Sequence, residues 1–370
     1  MTDVYIVRHA EAEGNLFRRA HGQFNGQLTE LGKKQLSFLA RRLESVPLTA
    51  VYASDLRRAV QTGEAICAGR GLRVTIEPQV REMNLGIWED LPWGELQHSY
   101  REQYVNFNKY PDRFRMEGAE TFGETKQRVL SAVLRLAARH PGEKIAVCSH
   151  GGAINALLTA VREMNGEDFD RGFSDNTAIS LLQIEQDRVH VAYANDSSHL
   201  PPDYTNFARQ NWWQSLDSTD SGDMRYVSPE LSGHWLELYN AWTPDMFALT
   251  RRAAAADQAQ AMNSKHPGSL SFAVSGDVPA GLVLADADPG SPDAGEILCC
   301  FLRPELRGRY LSPQLIGQAV SVLRRSRIYT AKILLPPAAE TCLAPYFMKY
   351  GFGACGAANG CAVYAKDISI

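Results

Sequence analysis

Histidine and arginine side chains follow two short apolar runs of the sequence. Arg8 and His9 come directly after residues 4–7, and His150 follows residues 145–148 with one serine between. Runs this short and rich in valine and isoleucine predict buried strands. Because ligand sites form at the carboxyl ends of strands in open α/β sheets, we expect both histidines at such an edge. An isolated Arg-His pair is more often a buried histidine beside a surface arginine, so its meaning depends on partners elsewhere in the chain.

Two further arginines stand at the start of a predicted helix. Residues 50–53 predict a strand, and either Ser54 or Asp55 can cap the helix that follows, with Arg57 and Arg58 in its first turn. Cations oppose the helix dipole at this end, so the pair indicates a nearby anion. Surface arginines are common, and this indication is weak by itself.

Glu82 and the segment after it add a candidate acid and candidate pocket walls. Glu82 lies in a loop among apolar residues, a setting compatible with a proton donor and equally with a solvated loop glutamate. Residues 90–118 interleave aromatic and basic side chains and predict a helical insertion over a pocket. Those basic residues either meet an acidic substrate or form a solvated face.

Together these residues suit phosphoryl transfer. Arginines bind phosphate oxygens through paired, charge-assisted hydrogen bonds. A neutral imidazole can attack phosphorus, and a carboxylic acid can protonate the leaving alkoxide. After His150, Gly151 and Gly152 allow the backbone to approach a ligand at a helix N-terminus. Such a pocket neutralises the developing charge by itself, so the sequence predicts no metal.

The elements that must position these residues alternate between strand and helix. Thr29 and Thr121 begin predicted helices that end near residues 43 and 140, and residues 178–184 and 189–193 predict a closing hairpin. This order predicts an α/β domain over residues 1–200.

The same segments resemble the signature of the histidine phosphatase (phosphoglycerate mutase-like) superfamily. They are Arg8-His9-Ala10-Glu11 with Asn15, Leu28-Thr29 with Gly32, Ser54 to Ala59 with Gln61-Thr62, Glu82 with Gly86 and Trp88-Glu89, Ser149 to Gly152, and Asn195 to Leu200. The resemblance implies a three-layer α/β/α fold. It departs at Ala10, where the family usually has glycine, and this change removes no catalytic group.

The resemblance also implies a role for each candidate residue. His9 would be the phosphorylated nucleophile and Glu82 the proton donor. The residues of the phosphate pocket would be Arg8, Arg58 and His150, with Asn15 and Gly151 contacting the substrate. Mutases of this superfamily carry a longer basic insertion, which this sequence lacks. We therefore expect a phosphatase for a small phosphate monoester, with a mutase-type phosphotransferase as the alternative.

A second domain is predicted from a change of composition near residue 201. Residues 201–223, with Trp212 and Trp213, predict a linker, and residues 224–370 predict an α+β domain. In it a strand over residues 295–302 leads through arginines and a glycine to a helix, with Ser312 and Pro313 as its N-cap and first residue. A strand, such a turn and a helix form an anion cradle.

This second domain resembles GNAT-type N-acetyltransferases. The resemblance implies that acetyl-CoA binds at the cradle, whose residues would be Arg307, Gly308, Arg309 and Ser312. Two departures from the family pattern argue against catalysis of acetyl transfer. Tyr310, Ser312 and Pro313 replace small residues and an N–H donor, and Phe347 stands where a catalytic tyrosine is usual, with Tyr346 one residue away. A bifunctional phosphatase–acetyltransferase and a non-catalytic CoA-sensing protein both remain open.

Composition narrows the class of protein. The 370 residues are 45% hydrophobic and 22% charged with a net charge of −4, which favours a globular protein without nucleic-acid or anionic-membrane partners. No apolar run approaches the roughly 18 to 20 residues that span a bilayer, and the sequence opens without a signal-peptide pattern. The 7 cysteines lack paired spacing. We therefore expect a cytoplasmic protein, for which a homodimer is a compatible assembly.

Overall fold

The chain forms two compact units in a computed structural model that describes residues 1–167, 174–186, 188–208, 210, 222–250, 254–288, 290 and 294–370. The first unit comprises Met1–Asn15, Ala20–Asp90 and Tyr100–Leu216. The second comprises Leu16–Arg19, Leu91–Ser99 and Asp217–Ile370. The predicted linker tryptophans, Trp212 and Trp213, lie outside the described residues.

A mixed sheet organises the first unit. Its strands are β1 (Thr2–Arg8), β2 (Ala50–Ala53), β3 (Val74–Ile76), β4 (Lys144–Ser149), β5 (Ile179–Glu185) and β6 (Arg188–Asp196). They lie in the order β3-β2-β4-β1-β5-β6, with the first four parallel and the last two antiparallel. Arg8 pairs with Ser149 across β1 and β4, so the two strands end side by side. The predicted closing hairpin is confirmed as β5 and β6.

Helices cover both faces of this sheet. They include α2 (Glu30–Leu43) and α3 (Arg57–Cys67) on one face and α6 (Phe122–Arg139) and α7 (Gly151–Asn165) on the other. Because strand side chains alternate, Tyr5 and Val7 enter the core with α2 and α3, while Val4 and Ile6 enter the core with α6 and α7. The predicted three-layer arrangement of the first unit is confirmed.

Helix starts explain how these elements are placed. Thr29 caps α2 through a 3.0 Å hydrogen bond from Gly32 N to its Oγ1, and Thr121 forms a capping box with Glu124 at α6. The helix α3 begins at Arg57 without a side-chain cap, so the prediction of a Ser54 or Asp55 cap was wrong. Both side chains are engaged elsewhere.

The remaining short helices complete the first 120 residues. They are α1 (Glu13–Phe17), α4 (Trp93–Ser99) and α5 (Arg101–Lys109). The helical character predicted for residues 90–118 is confirmed, although α4 belongs to the second unit and α5 to the first.

A second mixed sheet organises the second unit. Its strands are β7 (Met224–Val227), β8 (Leu270–Ser275), β9 (Val278–Asp286), β10 (Gly295–Leu302), β11 (Thr330–Leu335), β12 (Gly353–Ala358) and β13 (Cys361–Asp367). Its order is β12-β13-β11-β10-β9-β8-β7, with β10 and β11 as the parallel pair among the described strands. These two strands pair only at Gly295–Ala331 and Glu296–Lys332, and they part beyond that point.

Helices and two earlier chain segments cover this sheet. The helices are α8 (Gly233–Thr250), α9 (Ala256–Lys265), α10 (Ser312–Arg325) and α11 (Pro337–Met348). Phe17 packs against α10, where a Cβ at Gly317 would lie 2.4 Å from the Phe17 Cβ. Arg18 forms a buried two-point ion pair with Asp223, at 2.7 and 2.8 Å. Residues from the first hundred of the chain are therefore built into the second core.

One predicted cap in this unit is corrected. Leu311 is the N-cap of α10, so Ser312 is the first helical residue and Pro313 the second, and no side chain caps the helix. No helix among the described residues is long and apolar enough to cross a membrane.

Candidate active site

His9 lies where β1 ends, and its backbone fixes the orientation of its ring. Its N–H donates to Ser149 O at 3.0 Å, and its Nδ1 lies 2.7 Å from Ala10 O. A carbonyl accepts only, so Nδ1 must carry the proton in this contact. In the neutral ring, Nε2 then keeps its lone pair. Nε2 is therefore the nitrogen of this ring that is able to act as a base or a nucleophile.

His150 lies beside His9 because β4 ends next to β1. The two ring centroids are 5.1 Å apart. The Nε2 atom of His150 lies 2.6 Å from Ser54 Oγ, and its Nδ1 is buried with no hydrogen-bond partner among the described residues. Ser54 therefore orients this ring, which explains why it does not cap α3.

A buried arginine, Arg58, and a partly buried one, Arg8, lie near these histidines. Arg58, at 2% exposure, donates to Phe24 O at 2.8 Å and to Gly22 O at 2.7 Å. Arg8 donates to Ser174 O, while its Nε is buried without a partner in the described part of the chain. The two guanidinium groups are able to bind an anion through paired, charge-assisted hydrogen bonds.

Burial and these cations set the protonation of both imidazoles. Burial lowers the pKa of His9 well below its usual value, and the charges of Arg58 and Arg8 lower it further. The pKa of His150 is lowered in the same way, by burial first and then by Arg58. Burial also lowers the pKa of Arg58 to about 10. At neutral pH the site therefore holds two neutral imidazoles and two guanidinium ions.

Glu82 belongs to the loop that follows β3, and its side chain contacts the N-terminus of α7. Its carboxylate accepts hydrogen bonds from Gly152 N at 2.9 Å, Ala153 N at 2.7 Å and Met83 N at 2.9 Å. A Cβ at position 152 would lie 2.6 Å from Glu82 Oε1, so a larger residue there would displace this carboxylate. Helix α7 thus brings the predicted acid to the end of β4 that carries His150.

Asn15 and Gly151, the two residues predicted to contact the substrate, lie near the residues described above. The Asn15 Oδ1 accepts from Ala12 N at 3.1 Å and from Asn176 Nδ2 at 3.3 Å. A Cβ at Gly151 would lie 3.4 Å from Arg8 Cζ, so this residue packs directly on the guanidinium.

Sequence reasoning missed the segment before β5. Asn176 donates to His9 O at 2.9 Å, and Asp175 accepts from Asn206 N at 3.0 Å. Burial raises the pKa of Asp175, and Arg8 opposes that shift. The signal was the polar run directly before an apolar strand. Because β5 is antiparallel to β1, its start lies beside the end of β1.

No metal-binding arrangement is found in the part of the chain that the structure describes. Groups of three or more His, Cys, Asp or Glu side chains that are able to hold an ion are absent from those residues. The donor set around His9 consists of arginines and imidazoles, which suits an anion.

The predicted cradle of the second unit lines a cavity of about 390 Å³. Arg307, Gly308 and Ser312 belong to its wall, and Arg309 does not. Most other lining residues are apolar and come from the parted strands β10 and β11 and from α11. Tyr346 lies in this wall, where burial raises the pKa of its hydroxyl.

Comparison with known proteins matches the first unit. A family model described as histidine phosphatase superfamily (branch 1) matches residues 4–197. The protein named "Phosphoserine phosphatase 1" of Hydrogenobacter thermophilus is 28% identical over 200 residues, 54% of this chain and 95% of that relative. The protein named "Probable phosphoglycerate mutase GpmB" of Yersinia pestis is 34% identical over 208 residues, again 54% and 95%.

A solved structure agrees with these relatives. The structure named Bacillus stearothermophilus YhfR has 29% sequence identity and a TM-score of 0.51, covering 54% of this chain and 99% of that one. The residues matched by the family model include His9 and His150 at the ends of β1 and β4. Since the family model covers more than half of the 370 residues, the chain belongs to the histidine phosphatase superfamily, branch 1.

Proposed function

We propose that this protein is a metal-independent phosphatase that hydrolyses a small phosphate monoester through a phosphohistidine at His9. One observation carries the proposal. The Nδ1 of His9 donates to Ala10 O, so the neutral ring has an unprotonated Nε2. This ring lies beside His150 and near the charges of Arg58 and Arg8. A neutral nucleophile in a cationic pocket is what attack on a phosphate dianion requires.

The reaction proceeds in two steps. His9 Nε2 attacks phosphorus, the bond from phosphorus to the ester oxygen breaks, and Glu82 in its acid form gives a proton to the leaving alkoxide. The Glu82 carboxylate then takes a proton from water as the water oxygen attacks phosphorus. The bond from phosphorus to His9 Nε2 breaks, and phosphate is released. Arg8, Arg58 and His150 bind the phosphoryl oxygens in both steps. Asn15 and Gly151 form the edge of the pocket.

The substrate is proposed from the names of the relatives. Phosphoserine and phosphoglycerate are small phosphorylated acids, and they appear in the names of two relatives that match 54% of this chain. Hydrolysis is favoured over transfer because the segment between α4 and α6 carries no long basic insertion. A mutase-type transfer is the alternative, and it would appear as exchange of phosphate between two positions of one acid.

Phosphate release by the wild type and by His9→Ala tests the reaction. The substrates are 4-nitrophenyl phosphate, phosphoserine and 3-phosphoglycerate, each with and without EDTA. We expect activity to survive EDTA and to fall by about 10⁴-fold or more in the variant, because the covalent route is lost. Circular dichroism should be unchanged. Near-normal activity of the variant would exclude His9 as the nucleophile.

We also infer that the second unit is a GNAT-like domain that binds an acyl-CoA. The supporting observations are the parting of β10 from β11 and the apolar cavity between them, with Arg307, Gly308 and Ser312 in its wall. Arg309 and Pro313 add nothing to this cradle. Acyl transfer and non-catalytic sensing of CoA are both compatible with it, and titration of the full chain with acetyl-CoA tests the binding.

A further inference from the structure

The side chain of Arg128 uses every hydrogen-bond donor that it has. An arginine carries five N–H groups in a planar fork. Arg128 Nε and Nη2 each donate to the Glu120 carboxylate at 2.8 Å, and the remaining contacts go to the backbone of residues 79–82. These are Nη1 to Gln79 O at 2.8 Å, Nη1 to Arg81 O at 3.1 Å and Nη2 to Glu82 O at 3.4 Å.

Glu120 closes this arrangement from the other side. Its Oε2 also accepts from Asn84 N at 2.8 Å, and its own N–H donates to Asn84 O at 3.0 Å. Arg128 therefore binds three carbonyls of residues 79–84, and Glu120 binds the far end of this loop. Two further donors assist, Ser149 Oγ to Val80 O at 2.8 Å and Gln23 Nε2 to Glu82 O at 3.2 Å. The side chains of this pair are only 16% and 22% exposed.

Two neighbouring helices thus contact Glu82, one through its main chain and the other through its carboxylate. Helix α6 carries Arg128 and binds the main chain of the loop, while α7 binds the carboxylate through Gly152 N and Ala153 N. A misplacement of about 1 Å at a reacting group can cost about a hundredfold in rate. The placement of this main chain is therefore relevant to any role of Glu82 as an acid.

We propose that Arg128 is a positioning residue that aims Glu82 at the leaving group. This inference rests on the proposed phosphatase reaction and on Glu82 as its acid. This role depends on the planar geometry of the Arg128 guanidinium group. A lysine at this position keeps the positive charge, but its three donors on one nitrogen cannot reproduce contacts to three carbonyls and a carboxylate.

The test compares two esters that differ in their need for an acid. Nitrophenolate is a much weaker base than phenolate, so it leaves phosphorus with little help from a proton donor. For 4-nitrophenyl phosphate and phenyl phosphate, kcat/KM reports formation of the phosphohistidine, the step in which Glu82 acts. The ratio of the two values is unaffected by the fraction of correctly folded enzyme, because that fraction scales both values equally.

Three variants are measured with both esters. We expect Glu82→Gln to lower kcat/KM for phenyl phosphate by about 10²-fold and for 4-nitrophenyl phosphate by less than about threefold. Arg128→Lys should lower the phenyl phosphate value by about tenfold with the same selectivity. Arg135→Lys is the matched control, since Arg135 lies on the same helix and pairs with Glu77 at 3.7 Å. It should leave both values within about twofold.

The outcomes separate the two claims. A ratio that changes in Glu82→Gln and in Arg128→Lys supports the positioning role. A ratio that changes in Glu82→Gln alone overturns it and leaves the proposed reaction in place. A ratio that changes in neither variant removes Glu82 as the acid, and with it the role of Arg128. Equal losses on both esters in Arg128→Lys would show a general structural effect and would also overturn the inference.

Discussion

At the scale of single residues, His9 and His150 are kept neutral by their surroundings. Burial disfavours the charged form of each ring, and the guanidinium groups of Arg58 and Arg8 disfavour it further. In the proposed reaction His9 needs its lone pair to attack phosphorus, so the cations that would bind phosphate would also keep this ring neutral. Substrate binding and activation of the nucleophile would then have a common physical origin.

This origin gives a prediction for the pH dependence of the reaction. A lowered pKa means that His9 gains its proton only at a pH below its usual value near 6.5. We therefore expect the acid limb of log kcat/KM against pH to lie below pH 6.5. Arg58→Gln should lower kcat/KM and move this limb to higher pH, because one cation is removed. An acid limb at or above pH 6.5 in the wild type would contradict this assignment.

At the scale of elements, close contacts between backbones decide which residues are tolerated. Helix α2 begins against the loop after β1, where Thr29 N donates to Glu11 O at 3.0 Å. A Cβ at Gly32 would lie 2.1 Å from the same carbonyl oxygen. This contact holds α2 next to the loop that follows His9, and only glycine permits it.

Two glycine substitutions in helices should therefore have opposite effects. Gly32→Ala must displace the backbone of Glu11, and we expect a loss of about 1–3 kcal/mol in the free energy of unfolding. Gly123→Ala, in the first turn of α6, meets no atom within 4 Å. It should gain about 0.4–1 kcal/mol, because alanine restricts the unfolded chain. Urea unfolding at one pH measures both. A neutral Gly32→Ala would contradict the contact.

At the scale of the whole molecule, the second unit is not confined to the end of the chain. Leu16–Arg19 and Leu91–Ser99 belong to it together with Asp217–Ile370. Phe17 is buried in its core, and Arg18 pairs with Asp223 there. A fragment that begins at residue 224 would lack these groups. Binding to the second unit is therefore to be measured on the full chain.

Acetyl-CoA binding is predicted for that full chain. We expect isothermal titration calorimetry to show one site, and Arg307→Ala to weaken it by about tenfold through loss of a charge-assisted hydrogen bond to phosphate. Arg327→Ala is the control, because Arg327 is exposed and absent from the cavity wall. Absence of heat with the wild type, or equal weakening by both substitutions, would count against an acyl-CoA site in this cavity.

The residue pattern of the first unit predicted its strands, its threonine helix caps and the family to which it belongs. Short apolar runs ending in Arg8, His9 and His150 predicted strands whose ends meet, and the threonine caps predicted α2 and α6. These features are readable because they depend on residues that are neighbours in the chain. Local periodicity and capping are satisfied within a few residues.

Several contacts between residues that are far apart in the sequence were not predicted and are seen in the tertiary structure. Ser54 proved to orient His150 rather than to cap α3, Asn176 came to bind the His9 carbonyl, and Arg128 came to hold the loop of Glu82. The same holds for the membership of residues 16–19 in the second unit. A polar side chain takes whichever partner the folded sheet and helices place within about 3 Å of it, and no local pattern specifies that choice.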